Sequence, residues 1–192
     1  MEDSYKKQKL VKHYETELRR MTSDAQIRQW LGDVPVVKYS ELSKYNNMLE
    51  LLPNDKSVVV VLTESSKDSG HWCCLCRCGD EIAWIDSYGM KPDGELNFIP
   101  TAVRRMLGET EKQLSRLIKT IPKNMKFVYN KIKYQTLNDN VDTCGRYAIG
   151  FCKMCQLGYT LKESQDFLSR TRNMKDKSKP FDLYIIDLIP LV

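Results

Sequence analysis

Long apolar runs are missing from this chain of 192 residues. The best candidates, 58–62 and 184–192, fall well short of the roughly 20 residues a helix needs to cross a bilayer, so no membrane contact is expected. The first turns of the chain hold no apolar core of the kind that drives secretion, so a secreted protein is not expected either. Internal repeats and low-complexity tracts are also lacking, which leaves an ordinary globular chain long enough for one domain. Charge of one sign is only in small excess: 30 Lys and Arg against 25 Asp and Glu give +5, which permits contact with nucleic acid without requiring it. Histidine is scarce, with 2 residues, so an imidazole-based site has to use His13 or His71. Cysteine is the opposite case. Seven are present, an odd number, and in a chain expected to stay in a reducing compartment they read as thiols and not as a disulfide framework. At this length a domain buries about 70% of its extended surface and needs neither disulfides nor metal to fold.

Hydrophobic periodicity divides the chain. Leu10, Val11, Tyr14, Leu18 and Met21 predict an amphipathic helix. A second helix is predicted over 24–31, opened by a capping box at Ser23 and closed by Gly32. Leu42, Tyr45, Met48, Leu49 and Leu52 predict a third, stopped by Pro53. The β-branched run 57–63 reads as a buried strand, followed by a polar loop over 64–70, strands at 71–78 and 81–85, and a short Gly79-Asp80 turn. Residues 98–120 read as helical, and 126–129 and 132–135 as short strands. From Cys144 a helical stripe runs through Tyr147, Ala148, Phe151, Cys152 and Cys155 to Gly158. Thr160 and Glu163 form another capping box, opening a helix to about 170, with a linker-like polar stretch over 170–179. The expectation is one α+β domain over 1–192: a helical part over 1–55, a core over 57–170, and a docked segment over 180–192.

Three residues stand where chemistry is possible. His71, between Gly70 and Trp72, lies at a loop-to-strand edge, whereas His13 sits among lysines. Cys144, in Asp142-Thr143-Cys144-Gly145, opens a helix, where the positive end of the dipole stabilises negative charge and free N–H groups can hold an oxyanion. Taken alone it reads equally as a small core residue. Asp86 ends the strand after that of His71. With the hairpin centred between Gly79 and Asp80, Asp86 falls opposite residue 73, diagonal to His71, where it can hold one ring nitrogen. In isolation, Asp86 reads as a strand-ending Asx turn. No metal is expected: Cys74, Cys76 and Cys78 share one strand face, His71 and Cys73 the other, and strand spacing alone does not converge four ligands. Cys152 and Cys155 complete a site only if their helix lies on that face.

His71, Asp86, Gln135 and Cys144, with their neighbours Gly70-His71-Trp72, Asp86-Ser87-Tyr88-Gly89 and Cys144-Gly145-Arg146, occur in an order that resembles the adenain-like and SUMO-specific cysteine proteases. The pattern is most similar to the adenain-type proteases of virophages and Polinton (Maverick) elements. It covers about 57–170 and leaves the N-terminal helices unassigned. The resemblance implies a permuted papain-like fold, with a central, mostly antiparallel sheet flanked by helices. It makes Cys144 the nucleophile, His71 the general base and then acid, Asp86 the orienting carboxylate, and Gln135 an oxyanion-hole amide beside the backbone N–H of Cys144. Trp72, with Gly70 and Gly145, would line a narrow substrate cleft that favours glycine beside the scissile bond. Gln135 stands nine residues before Cys144, a wider spacing than in the best-known members, and Asn138 or Asn140 is the alternative amide.

The implied function is a monomeric cysteine endopeptidase that processes viral capsid and core precursor proteins during virion maturation, in the virion and in viral factories of the host cytoplasm. No cofactor is implied other than DNA as an activator, for which the basic runs 6–12 and 123–133 offer contacts, although they read as well as solvated faces. The alternatives are a protease that removes SUMO or another ubiquitin-like modifier, and a non-catalytic nucleic-acid-binding scaffold.

Overall fold

A computed structural model describes residues 2–191. The elements run α1 (Glu2–Leu18), α2 (Asp24–Leu31), β1 (Val36–Lys38), a 3-10 turn (Tyr39–Lys44), α3 (Met48–Leu51), β2 (Val58–Ser66), β3 (Ser69–Cys78) and β4 (Glu81–Ile85). A second 3-10 turn (Glu95–Phe98), α4 (Thr101–Leu107), α5 (Gln113–Ile118), β5 (Lys126–Tyr129), α6 (Cys144–Gln156), α7 (Leu161–Asp176) and α8 (Phe181–Leu188) complete the chain. The fold is α+β: a five-stranded sheet in the order β1-β2-β3-β4-β5, flanked by helices.

The sheet is mixed, and the expectation of a mostly antiparallel one is corrected at its edges. β2-β3 and β3-β4 are antiparallel, whereas β1-β2 and β4-β5 are parallel. Parallel neighbours need a crossover. The 3-10 turn with α3 supplies one, and α4 with α5 the other. Three-residue β1 carries too little pattern to be seen in sequence.

The central strands are covered on both faces, which is why 57–63 reads as a continuous apolar run. Val58, Val60, Cys74, Cys76, Ala83 and Ile85 face α6 and α8. Val59, Val61, Cys73, Leu75, Ile82 and Trp84 face the 3-10 turn, α3 and α5.

Several boundaries differ from expectation for identifiable reasons. The loop over 64–70 is a hairpin: β2 and β3 continue to Ser66 and Ser69, and Asp68 turns the chain at a φ of 58°. The 42–52 helix is broken before α3, where the Asn47 side chain caps the Glu50 N–H. Gly108, left-handed at a φ of 75°, ends α4 and splits the 98–120 helix. Segment 132–135 is irregular, because the Asn130 side chain bonds both to the N–H and to the carbonyl of Ile132. The 170–179 linker is largely the continuation of α7 to Asp176. Both capping boxes form as read, at Ser23 and at Thr160. The C-terminal segment docks on the N-terminal helices, with Tyr14 donating to Asp187 at 2.9 Å and the Trp30 indole to the Pro190 carbonyl at 3.3 Å.

Candidate functional site

The register of one hairpin builds the first half of the site. Cys74 pairs with Ile85 and Cys78 with Glu81, the centre read from the Gly79-Asp80 turn. Asp86, the next residue after β4, therefore lies diagonal to His71 and meets it: His71 Nε2 and Asp86 Oδ1 are 3.1 Å apart. His71 is not at a loop edge as expected. It pairs with Thr63 inside the β2–β3 ladder, which holds its backbone more firmly than a loop would. Gly70 is required here, because a Cβ would stand 2.0 Å from the Thr63 carbonyl oxygen. Tyr88 stacks on the imidazole with ring centroids 4.5 Å apart, and its N–H donates to Asp86 Oδ1 at 2.7 Å.

A residue that sequence reasoning missed completes the acidic side. Glu95 Oε1, from the second 3-10 turn, lies 3.2 Å from the same His71 Nε2. Burial pushes the Glu95 carboxyl up to about 8; the His71 charge pulls the other way, and the Asp86 carboxylate adds to the rise. Burial pulls His71 down, but Glu95, Cys73, Cys144 and Asp86 more than offset this and hold its pKa well above the ordinary value. Burial pushes the Cys73 thiol well up, and both carboxylates reinforce the shift. Two carboxylates thus engage Nε2, and Nδ1 is the nitrogen left for another partner.

Cys144 is the first residue of α6 and is 8% exposed. It borders a cleft of about 590 Å³ together with Thr22, Val36, Lys38, Gly70 and Trp72. The first N–H groups of a helix have no partner within it, so those of Cys144 and Gly145 are available to a ligand oxygen. Thr143 anchors the helix start by donating to Asp182 Oδ1 at 2.6 Å. Gly145 has no room for a side chain, because its Cβ would sit 2.3 Å from that of Thr22. Trp72 is fixed by a bond from its indole to the Thr22 carbonyl at 2.9 Å. The N-terminal segment, outside the motif-bearing region, thus forms one cleft wall. Arg146 ties it down: fully buried, it pairs with Glu17 of α1 and donates to the Ile189 carbonyl at 2.5 Å.

Gln135 is buried beside this group with its amide already committed. Ser87 Oγ donates to its Oε1 at 2.7 Å, while its Nε2 donates to the Val141 carbonyl at 2.7 Å and to the Tyr88 hydroxyl at 3.2 Å. Asn138 and Asn140 are exposed and bonded to one another. His13 lies on α1 and is exposed. No sequence signal singled out Glu95, which stands in a Gly- and Pro-containing stretch with no periodicity.

Two donor clusters have metal-like proximity: one ligand atom from each of His71, Cys73, Asp86 and Glu95, and the sulfurs of Cys74, Cys76 and Cys152, lie within 4.8 Å of one another in each set. Burial pushes the Cys74 thiol up, but S–H groups of Cys152 and Cys76 bonded to it bring it down to about 6.

No protein-family model matches the chain. Among solved structures, the central domain of the uncharacterized Lpg1148 protein from Legionella pneumophila aligns over 89% of this chain and 98% of its own, with a TM-score of 0.42 and 16% identity. Among curated proteins, the uncharacterized protein V9 of the Sputnik virophage is 35% identical over 115 residues, 59% of this chain. The match spans 64% of that protein's length, and the similarity is to a virophage protein.

Proposed function

We propose that this chain is a cysteine endopeptidase with the permuted, adenain-type papain-like fold, and that it matures capsid and core precursor proteins of a virus. The observation that carries the reading is the His71–Asp86 contact of 3.1 Å beside a cysteine at the mouth of a helix that borders a cleft. Similarity to a virophage protein supports the viral setting. Cys144 and His71 work as a thiolate–imidazolium pair. The Cys144 Sγ attacks the scissile carbonyl carbon, and the carbonyl electron pair moves to oxygen. The backbone N–H of Cys144 holds that oxygen, together with the Gln135 amide once it exchanges its contact with Tyr88. His71 gives its proton to the leaving amine as the C–N bond breaks. Water, losing a proton to His71, then attacks the thioester carbon; the C–S bond breaks, the acid product leaves and the thiolate–imidazolium pair is restored. Asp86 orients the ring throughout.

Gly70 and Trp72 border the cleft beside Cys144, and the resemblance to adenain-type proteases favours glycine next to the scissile bond there. The enzyme acts as a monomer in viral factories and in the virion, and the lysines of α1 and of 123–133 provide for non-specific DNA contact. No helix among the described residues is long and apolar enough to cross a membrane.

Co-expression with cognate capsid precursors tests the reading. New precursor termini in mass spectra, absent with Cys144→Ala, are the expected result; identical termini with both proteins overturn it. A thiol probe at neutral pH separates catalysis from a scaffold role: Cys144 is expected to react roughly tenfold faster than the other cysteines, and His71→Ala to remove that advantage. Cleavage of a SUMO conjugate in place of the precursor would favour the deconjugating alternative.

A further inference from the structure

Four of the six cysteines that the proposed peptidase does not use lie on one side of the sheet. Cys74 and Cys76 stand two residues apart on β3 and so point to one side of the sheet. α6 lies across that side, which meets the condition set by the sequence for its cysteines to join them. Its Cys152 brings a third sulfur, and the Sγ atoms of Cys74, Cys76 and Cys152 lie within 4.8 Å of one another. Cys155, three residues further on, lies outside that group of three: its thiol contacts Cys76 and donates to the Arg77 carbonyl at 3.2 Å, so it becomes the fourth ligand by exchanging that bond for the metal. All four are buried.

The spacing is Cys-x-Cys on a strand and Cys-x-x-Cys on a helix, so two rigid elements each present a pair of sulfurs. A tetrahedral zinc ion with Zn–S bonds of about 2.3 Å sets its sulfurs about 3.8 Å apart, which the spread of Cys74, Cys76 and Cys152 accommodates. A small crevice bordered by Cys76, Cys78, Cys155 and Tyr159 adjoins two of these cysteines. Soft thiolate donors without carboxylates or imidazole select zinc or cadmium over magnesium or calcium.

We propose that Cys74, Cys76, Cys152 and Cys155 form a structural site for one thiophilic divalent cation of the zinc class. The four thiols lose their protons as the metal–sulfur bonds form, and no redox change takes place. An ion there clasps β3 to α6, the strand that carries His71 to the helix that opens at Cys144. The inference does not depend on peptidase activity, because it rests on different side chains on the opposite face of β3.

The test uses the full chain produced with zinc and freed of loose metal by gel filtration. Elemental analysis is expected to find one equivalent of zinc, and X-ray absorption of the wild-type protein a first shell of sulfur only. Cys76→Ser and Cys152→Ser are expected to lower the zinc content at least tenfold, whereas His71→Ala keeps it. A wild-type protein that holds no zinc and gives no cadmium–thiolate absorption on titration overturns the proposal. So does a shell of nitrogen and oxygen, or zinc lost in His71→Ala, since either places the metal at the His71–Glu95 cluster. The absorption measurement needs no variant, so it decides the matter even if a serine variant fails to fold.

Discussion

Glu95 is the residue on which the acid–base character of the site turns. A buried carboxyl held up to about 8 keeps a proton that it would release near 4.5 in the unfolded chain. Between those values the folded state binds more protons than the unfolded one, so Glu95 makes stability fall as pH rises through that window. His71 acts in the same direction: its raised pKa contributes stability at low pH that is lost as pH rises through its folded value. Thermal melting is therefore expected to weaken from about pH 5 to pH 8, and Glu95→Gln to flatten that dependence. A Glu95→Gln protein with an unchanged slope would refute the assignment. The variant also bears on chemistry, because it removes the negative charge that Glu95 gains beside Nε2 above about pH 8: the pH profile of Cys144 alkylation is expected to change above that value, which a purely structural role would not produce. The sequence exposed His71 through the scarcity of histidine and Asp86 through hairpin arithmetic. It gave no sign of Glu95, because a contact made by an aperiodic turn has no local pattern.

At the scale of elements, the alternation of strand side chains and the capping boxes were legible, and irregular segments were not. Pairing centred on Gly79-Asp80 could be counted from sequence because both strands carry a buried face that fixes register. The path of 130–143 could not, since it is set by side chains bonding to the backbone, as at Asn130. The junction between the N-terminal segment and α6 belongs here as well. Gly145 meets Thr22 so closely that Gly145→Ala must push the helix start away from the cleft wall. Alkylation of Cys144 is expected to slow at least tenfold in Gly145→Ala and to recover in the double variant with Thr22→Gly. If the second substitution restores nothing, the contact does not position Cys144.

For the molecule as a whole, Arg146 is the tie between parts far apart in the chain. It joins α6 to Glu17 near one end and to Ile189 near the other, without exposure to solvent. Arg146→Met leaves Glu17 with only the partly exposed Arg20 at 3.3 Å and is expected to cost about 3 kcal/mol in denaturant unfolding, whereas Arg146→Met combined with Glu17→Leu recovers much of it. A single-variant loss below about 1 kcal/mol would show that the ends are held by other contacts. This dependence was hidden in the sequence, where Arg146 reads as the third residue of a motif and Glu17 as one charge on an exposed helix.

β3 also divides the molecule chemically. Cys73 and Cys74 are neighbours in the chain, yet the pleat sends one toward His71 and the other toward α6. A single thickness of backbone thus works as an insulator between two sulfur environments, one governed by carboxylates and imidazole, the other by thiols alone. An oxidant or alkylating agent that enters through the cleft meets Cys144 at its border, while Cys73 and Cys74 stay buried on either side of the sheet.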